Sequence, residues 1–420
     1  MGRPQPIPKR KRGTILKILN VIAQKPDFTG SGIFLARTVE QELLLGHETA
    51  VICGIENNET IETLPDRTEV APVRFSTDEV PFNVCGMSDT MPYPSTRYRD
   101  LEPDAAAAFE AAFSRRLTET LESFDPDIVV CHHLYLLTSI VRETVTDRPV
   151  VAFCHSTDLR QMEQHDLQRD RIIQAVRDLD RIFALHAQQQ ADIERIYGVD
   201  PQRISQTGPG FDQDAFNLDG PPVHRAQGSL VFVGKVSRAK GVQALVEALN
   251  LISADRVPEG FSLDLVGGHG SDRAEYETLC ECARTCAWPV ALRGRVPLDE
   301  LVAKYRSSEV FVLPSFFDGL PLSAVEALAC GCKAVLSDLP GLRPWFEKNI
   351  PDAPIVWVAP PRMKAVDEPI EEDLPAFERR LADAVVECLA MPSRPACVNS
   401  LSWKSLTERF VREAAEPRLC

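Results

Sequence analysis

Residues 310–331 read Val310-Phe311-Val312-Leu313-Pro314-Ser315-Phe316-Phe317-Asp318-Gly319-Leu320-Pro321-Leu322-Ser323-Ala324-Val325-Glu326-Ala327-Leu328-Ala329-Cys330-Gly331. Four apolar residues suit a buried strand, Asp318 and Gly319 form a turn, and a helix opens near Pro321. The first amides of that helix have no partner within it, so together with the helix dipole they attract an anion. Glu326 lies about one turn inside. A carboxylate there cannot favour a phosphate, but it can accept hydrogen bonds from both hydroxyls of a ribose.

The same strand, loop and helix order holds in Phe232-Val233-Gly234-Lys235-Val236-Ser237-Arg238-Ala239-Lys240-Gly241. Lys235, Arg238 and Lys240 would stand beyond the carboxyl end of a parallel strand, where open α/β sheets bind ligands, and three cations suit two phosphates. Working outward, short Val-, Ile- and Leu-rich runs alternate with amphipathic stretches along the whole chain, which marks the class as α/β. Strands are expected at 14–22, 48–53, 128–131, 150–154, 181–185 and 204–207. A second series follows at 230–233, 263–266, 290–292, 310–313, 334–336 and 355–358. One helix is expected over 159–178. The Gly-, Pro-, Asp- and Gln-rich segment 217–228 separates the series, giving domains of 1–216 and 217–401.

A length of 420 residues is too great for one core, and 44% hydrophobic with 25% charged residues describes an ordinary globular chain. The net charge of −15 disfavours a nucleic-acid partner. Arg3, Lys9, Arg10, Lys11 and Arg12 form a basic start that reads as a solvated tail, with weak contact to anionic lipid as the alternative. No apolar run is long enough to span a bilayer and no signal-peptide core follows the basic start, so the expected compartment is the cytoplasm. Most of the twelve cysteines sit in apolar segments and read as small buried hydrophobes. Cys280, Cys282 and Cys286 share one expected helix without zinc-finger spacing, and no metal is expected.

The strings around Asp318 and Glu326 resemble those of family-4 retaining glycosyltransferases. Asp318 and Glu326, eight positions apart, look like that family's Glu-x7-Glu motif, and 234–241 is similar to its diphosphate loop, with Lys235 where Arg is more usual. Gly30-Ser31-Gly32 with Gly46-His47-Glu48 resembles its first glycine loop, Gly210-Phe211-Asp212 with Phe216 its signature before the linker, and Ser402-Trp403-Lys404 its final helix. The resemblance implies a GT-B fold of two Rossmann-like doubly wound domains facing a cleft, with 402–420 packing back on the first. It also implies a nucleotide-sugar donor, foremost a UDP-sugar, used as a substrate with no cofactor.

On the same resemblance, His155, Asp318 and Lys240 are the catalytic set. Gly30, Gly32, Lys235, Arg238, Lys240, Gly319, Leu320, Pro321, Leu322, Glu326 and Val296 bind the donor. The segment 87–101 lacks a clear period and suits a functional loop. Met91, Tyr93, Ser95 and Thr96 within it, with His133, are the expected acceptor surface, for a glycan, a lipid-linked sugar or a small molecule. Asp318 is one methylene shorter than the family's Glu, which puts donor choice in question. Asp212-Gln213-Asp214 has the form of a metal-binding pair but lies inside the pre-linker signature. Gly267-Gly268-His269-Gly270 lacks dinucleotide spacing and reads as a wall of the nucleotide pocket. The expected reaction is metal-independent hexosyl transfer with retention at the anomeric carbon. The rivals are an epimerase of the same fold, a dinucleotide-dependent oxidoreductase and a silent nucleotide-binding protein.

Overall fold

The structure, a computed structural model, describes residues 15–416 except 28, 89–90, 220–222, 271 and 366. The basic start at 3–12 lies outside the described residues. The chain divides into two compact units: one runs to Gly208 and resumes at Trp403, and the other is Pro209–Ser402. The division therefore precedes Phe216 instead of following it. The cause is packing: the Phe216 ring meets Tyr305 edge-on at 5.9 Å, and the Arg306 guanidinium holds the Asn217 carbonyl and side chain at 2.9 and 2.6 Å.

The first unit runs β1 (Lys17–Ile22), α1 (Gly30–Leu44), β2 (Glu48–Glu56), β3 (Glu69–Phe75), β4 (Cys85–Gly86), β5 (Thr96–Arg97) and α2 (Pro103–Phe124). It continues with β6 (Ile128–His132), α3 (Leu136–Thr144), β7 (Val150–Phe153), α4 (Thr157–Gln164), α5 (Arg169–Arg177), β8 (Arg181–Ala184), α6 (Ala187–Tyr197) and β9 (Ile204–Gln206). Seven strands form one sheet in the order β3-β2-β1-β6-β7-β8-β9, with every pair parallel. Its central strands are buried on both faces, as their near-continuous apolar sequence requires.

Two differences from expectation have local causes. Strand β3 carries Pro72, which cannot donate to a ladder; the strand is tolerated because it is the sheet's edge and pairs with β2 alone. The single helix expected over 159–178 is broken into α4 and α5 between His165 and Gln168, the latter in the left-handed region at φ 47°. After the break Arg171 meets Glu110 at 2.7 Å and Glu143 at 2.5 Å.

The second unit runs β10 (Ser229–Val233), α7 (Val242–Asn250), β11 (Ser262–Val266), α8 (Arg273–Thr285), β12 (Val290–Gly294), α9 (Leu298–Ser307) and β13 (Val310–Leu313). It ends with α10 (Leu322–Ala329), β14 (Lys333–Ser337), α11 (Leu342–Asn349), β15 (Ile355–Val358) and α12 (Leu374–Ala390). Its six parallel strands lie in the order β12-β11-β10-β13-β14-β15. The last helix, α13 (Trp403–Ala414), belongs to the first unit, where Trp403 meets Phe34 at 5.1 Å and Phe410 meets Phe153 at 5.2 Å. In both sheets the strand order reverses beside the unit's first strand, between β1 and β6 and between β10 and β13. Such a reversal opens a crevice at the carboxyl ends of the strands.

Candidate active site

At the β10/β13 reversal the loops are joined main chain to main chain. The Phe316 amide donates to the Ala239 carbonyl at 2.9 Å, and Gly241, at φ 72°, lies so close that a Cβ on it would fall 2.0 Å from the Pro314 oxygen. On the other side the Val236 amide donates to the Gly268 carbonyl at 2.9 Å, and a Cβ on Gly267 would fall 1.9 Å from the Gly234 oxygen. Glycine is what lets three strand-end loops meet.

This frame places the charged side chains. The Lys240 Nζ donates to Asp318 Oδ2 at 2.7 Å, and the Ser315 hydroxyl lies 3.3 Å from the same oxygen. The Lys235 side chain runs along Gly270, where a Cβ would come 2.9 Å from its Cε and 3.3 Å from its Nζ. Arg238, expected beside the diphosphate, instead pairs with Glu371, while its amide donates to Glu275 at 2.8 Å. The carboxylate ahead of α12 draws its guanidinium, while Lys235 beside Gly270, Arg295 beside Gly268 and Lys240 are cations of the loop face.

Helix α10 starts after Pro321, which caps it with no side-chain bond, and open space surrounds the Cβ position of Gly319. The Ala324 amide is taken by the Pro321 carbonyl at 3.1 Å, and the turn ahead of the helix carries Asp318, Gly319, Leu320, Pro321 and Leu322. Inside the helix, Glu326 accepts the Tyr305 hydroxyl at 3.3 Å. Burial pushes its carboxyl up to about 7, and the neighbouring Asp212 charge acts in the same direction. Val296 follows β12 at this end of the sheet, near Gly294, whose carbonyl accepts the Gly267 amide at 2.8 Å.

The Asp212 carboxylate oxygen Oδ1 accepts the amides of Asp214 and Ala215, both at 3.1 Å, which makes it the cap of a turn. Among the described residues no group of three or more His, Cys, Asp or Glu side chains is placed to hold a metal.

In the first unit, the turn after β1 seats Gly30 and Gly32 at the start of α1. The Thr29 hydroxyl caps the helix through the Gly32 amide at 3.0 Å, and a Cβ on Gly32 would fall 2.7 Å from the Asp27 nitrogen, whereas Gly30 faces open space. At the ends of β6 and β7, the fully buried carboxylate of Asp158 accepts the amides of Leu134 at 2.8 Å and His155 at 3.2 Å. It ties the two strand ends together. The His155 ring then lies 13° from parallel with that of His132, with its Nε2 3.2 Å from His132 Nδ1. Burial pushes His155 down to about 3, so the ring is neutral. His133, at φ 76°, sits 4.8 Å from the His155 ring, and both its ring nitrogens are buried with no partner among the described residues.

The expected acceptor loop is pinned at both ends. Strands β4 and β5 pair in parallel, the Gln161 amide donates to the Met87 carbonyl at 3.1 Å, and the Met87 amide reaches Gln24 at 3.4 Å. Met91 packs on Gly86 with Ser95 beside it, Thr96 donates to the Val84 carbonyl at 3.1 Å, and the Tyr93 ring lies 4.4 Å from Lys25 Nζ. Asn20, Glu42, His132 and Asp158 form the polar frame of this unit and were not singled out from sequence. The available signal was polarity at apolar positions: Asn20 inside the strand Lys-Ile-Leu-Asn-Val-Ile, and Glu42 on the helix face of Leu35 and Val39.

Comparison with known proteins agrees with this architecture. The family model Glycosyltransferase Family 4 matches residues 40–215, and the model Glycosyl transferases group 1 matches residues 227–366. D-inositol 3-phosphate glycosyltransferase 2 of Catenulispora acidiphila is 32% identical over 186 residues, a stretch covering 41% of this chain and 43% of that protein. The match thus spans less than half the length of that curated relative. Among solved structures, sucrose-phosphate synthase of Thermosynechococcus elongatus superposes with a TM-score of 0.60 at 17% identity, covering 95% of this chain and 98% of that one. Anabaena Alr3699/HepE, in complex with UDP and glucose, gives 0.59 at 12% identity over 95% and 99%. At such identities the likeness is one of fold, the GT-B fold of two Rossmann-like units. With one model on each unit and that fold throughout, the chain belongs to the family-4 glycosyltransferases.

Proposed function

We propose that the protein transfers a hexose from a nucleotide-diphosphate sugar, foremost a UDP-sugar, to an acceptor hydroxyl with retention of the anomeric configuration. The observation that carries this reading is the Lys240–Asp318 pair at the β10/β13 reversal, with Lys235 on the loop after β10 and Glu326 on α10, the helix that follows β13. UDP is favoured because a solved relative of the same fold is in complex with UDP and glucose.

In this reading Lys235 and Lys240 meet the diphosphate, the amides of Gly319, Leu320 and Leu322 and the Asp318 carboxylate hold the transferred sugar, and Glu326 accepts the ribose hydroxyls. As the bond from the anomeric carbon to the phosphate breaks, charge grows on the leaving oxygen, and fixed cations and amides stabilise it without reorganising. The acceptor oxygen bonds to the anomeric carbon on the same face, and its proton passes to the departing phosphate. No side-chain base is required. His155 hydrogen-bonds the sugar, and the loop carrying Met91, Tyr93, Ser95 and Thr96, with His133, receives the acceptor.

The test is transfer of hexose from UDP-, GDP- and ADP-sugars to a panel of sugar, inositol phosphate and lipid-linked acceptors, with the product anomer read by NMR and EDTA present in one arm. A retained anomer formed in EDTA supports the proposal. An inverted product contradicts it, and so does conversion of the donor sugar to its epimer without any acceptor.

A further inference from the structure

A chain of buried polar groups runs from the core of α1 to His155. Glu42 Oε2 accepts both the Asn20 side-chain amide, at 2.9 Å, and the Thr49 hydroxyl, at 3.2 Å. Asn20 Oδ1 faces His132 Nε2 at 3.5 Å, and His132 Nδ1 faces His155 Nε2 at 3.2 Å. Asn20, Glu42 and His132 are at most 2% exposed, and Thr49 is 2% exposed. A Glu on the apolar face of α1 and an Asn inside β1 are costly to bury unless each is bonded. Here Asn20 and Glu42 Oε2 bond each other, while Glu42 Oε1 is buried with no partner among the described residues.

The order of donors fixes the order of protons. Glu42 Oε2 takes two hydrogen bonds, so it is an acceptor whether the carboxyl is ionised or not; a carboxylic proton would have to sit on Oε1. Asn20 must then turn its NH2 toward Glu42 and its oxygen toward His132. With that oxygen as partner, His132 carries its proton on Nε2 and presents a lone pair at Nδ1. Both imidazoles are neutral, since burial lowers His132 well below the usual range and His155 likewise, so each ring holds a single proton. The proton of His155 is accordingly on Nε2, pointing back at His132, and its Nδ1 is an acceptor.

We infer that Glu42, Asn20 and His132 are positioning residues that lock His155 as the Nε2-protonated tautomer, so that it receives a hydrogen bond from a donor hydroxyl and cannot donate one. This rests on the reading of His155 as a contact of the transferred sugar. It implies a requirement on the substrate: the group meeting His155 is a free hydroxyl. A sugar whose hydroxyl there is replaced by fluorine or hydrogen has nothing to donate.

The tautomer is measurable without any substrate, by long-range proton–nitrogen NMR of protein labelled with 15N-histidine and assigned by comparison with His155→Ala. The expected result for the unmodified protein is an unprotonated Nδ1 and a protonated Nε2 on His155. The opposite pattern overturns the inference, whatever the protein transfers. Asn20→Leu removes the link while keeping size, and should move the His155 signals toward a mixture of tautomers. With transfer active, Asn20→Leu should lower kcat about tenfold, the usual effect of one lost hydrogen bond to a reacting group, and leave UDP affinity unchanged. In a His155→Ala background the same substitution should change kcat less than about twofold. An equal loss in both backgrounds means that Asn20 only holds the fold and contradicts the inference. A locked tautomer in a protein that transfers no sugar would leave the relay standing and contradict the proposed function.

Discussion

The ammonium of Lys240 lies 2.7 Å from the carboxylate of Asp318, so the cation proposed to meet the diphosphate and the carboxylate proposed to hold the sugar are bonded to each other. A bare nucleoside diphosphate must compete with Asp318 for Lys240 and gains nothing from that carboxylate. Asp318→Asn should therefore tighten UDP binding by about three- to tenfold, on the order of 1 kcal/mol for a partly exposed pair. It should at the same time lower the transfer rate by about a hundredfold. Calorimetry with UDP and initial rates with a UDP-sugar check both; weaker UDP binding would show that Asp318 orders Lys240 without competing for it.

With Glu326 at the ribose, as proposed, nucleotide binding acquires a pH dependence. Burial pushes the Glu326 carboxyl up to about 7, against the Tyr305 hydroxyl bond, which lowers it. Ribose hydroxyls donate to the ionised form, so binding favours it and releases a proton. Affinity for UDP should rise from about pH 6 to about 8 and level off above, and the profile should flatten relative to wild type in Glu326→Gln. An identical profile in the variant would remove Glu326 from the nucleotide site.

Glu42 predicts the opposite slope for stability. Burial raises its carboxyl from 4.5 to about 8, so between those values the folded protein holds a proton that the unfolded chain has lost. Stability contributed by the neutral carboxyl is complete below the lower value and is lost as pH rises through the upper one. Glu42→Gln mimics the neutral form. Its stability relative to wild type should grow across this window by an amount on the order of a few kcal/mol, read as the shift in denaturation midpoint with pH. A constant difference would mean that Glu42 is ionised in the fold.

Gly241→Ala places a Cβ 2.0 Å from a main-chain oxygen of the loop that carries Asp318, at a positive φ. Neither strand-end loop can yield without breaking the bond from Phe316 to Ala239. The expected cost is about 2–4 kcal/mol, as for other strained backbone substitutions, with loss of UDP binding. Gly30→Ala, where nothing lies within 4 Å of the Cβ position, is the control and should leave stability unchanged.

Much of this arrangement was legible in sequence because parallel strands buried on both faces announce themselves as short apolar runs, and glycines mark the strand ends. Lys235, Lys240, Asp318 and Glu326 were found from such positions, and all four stand at one reversal of strand order. What stayed hidden depends on distant partners. No strand is expected over 69–75, where Pro72 is permitted only by the edge position, and Arg238 shares the diphosphate loop's charge but pairs with Glu371, 133 residues away. The link from Glu42 to His155 crosses β1, β6 and β7, and no local pattern shows that Asn20 and His132, 112 residues apart, face each other.

The central claim is that the second unit holds a nucleoside diphosphate between Lys235, Lys240 and Glu326. Titration calorimetry of UDP against wild type, Lys240→Ala and Glu326→Ala tests it most directly. Each substitution should weaken binding by about ten- to a hundredfold, the roughly 1.5–3 kcal/mol of a charge-assisted hydrogen bond. Variants that bind UDP as tightly as wild type would contradict it.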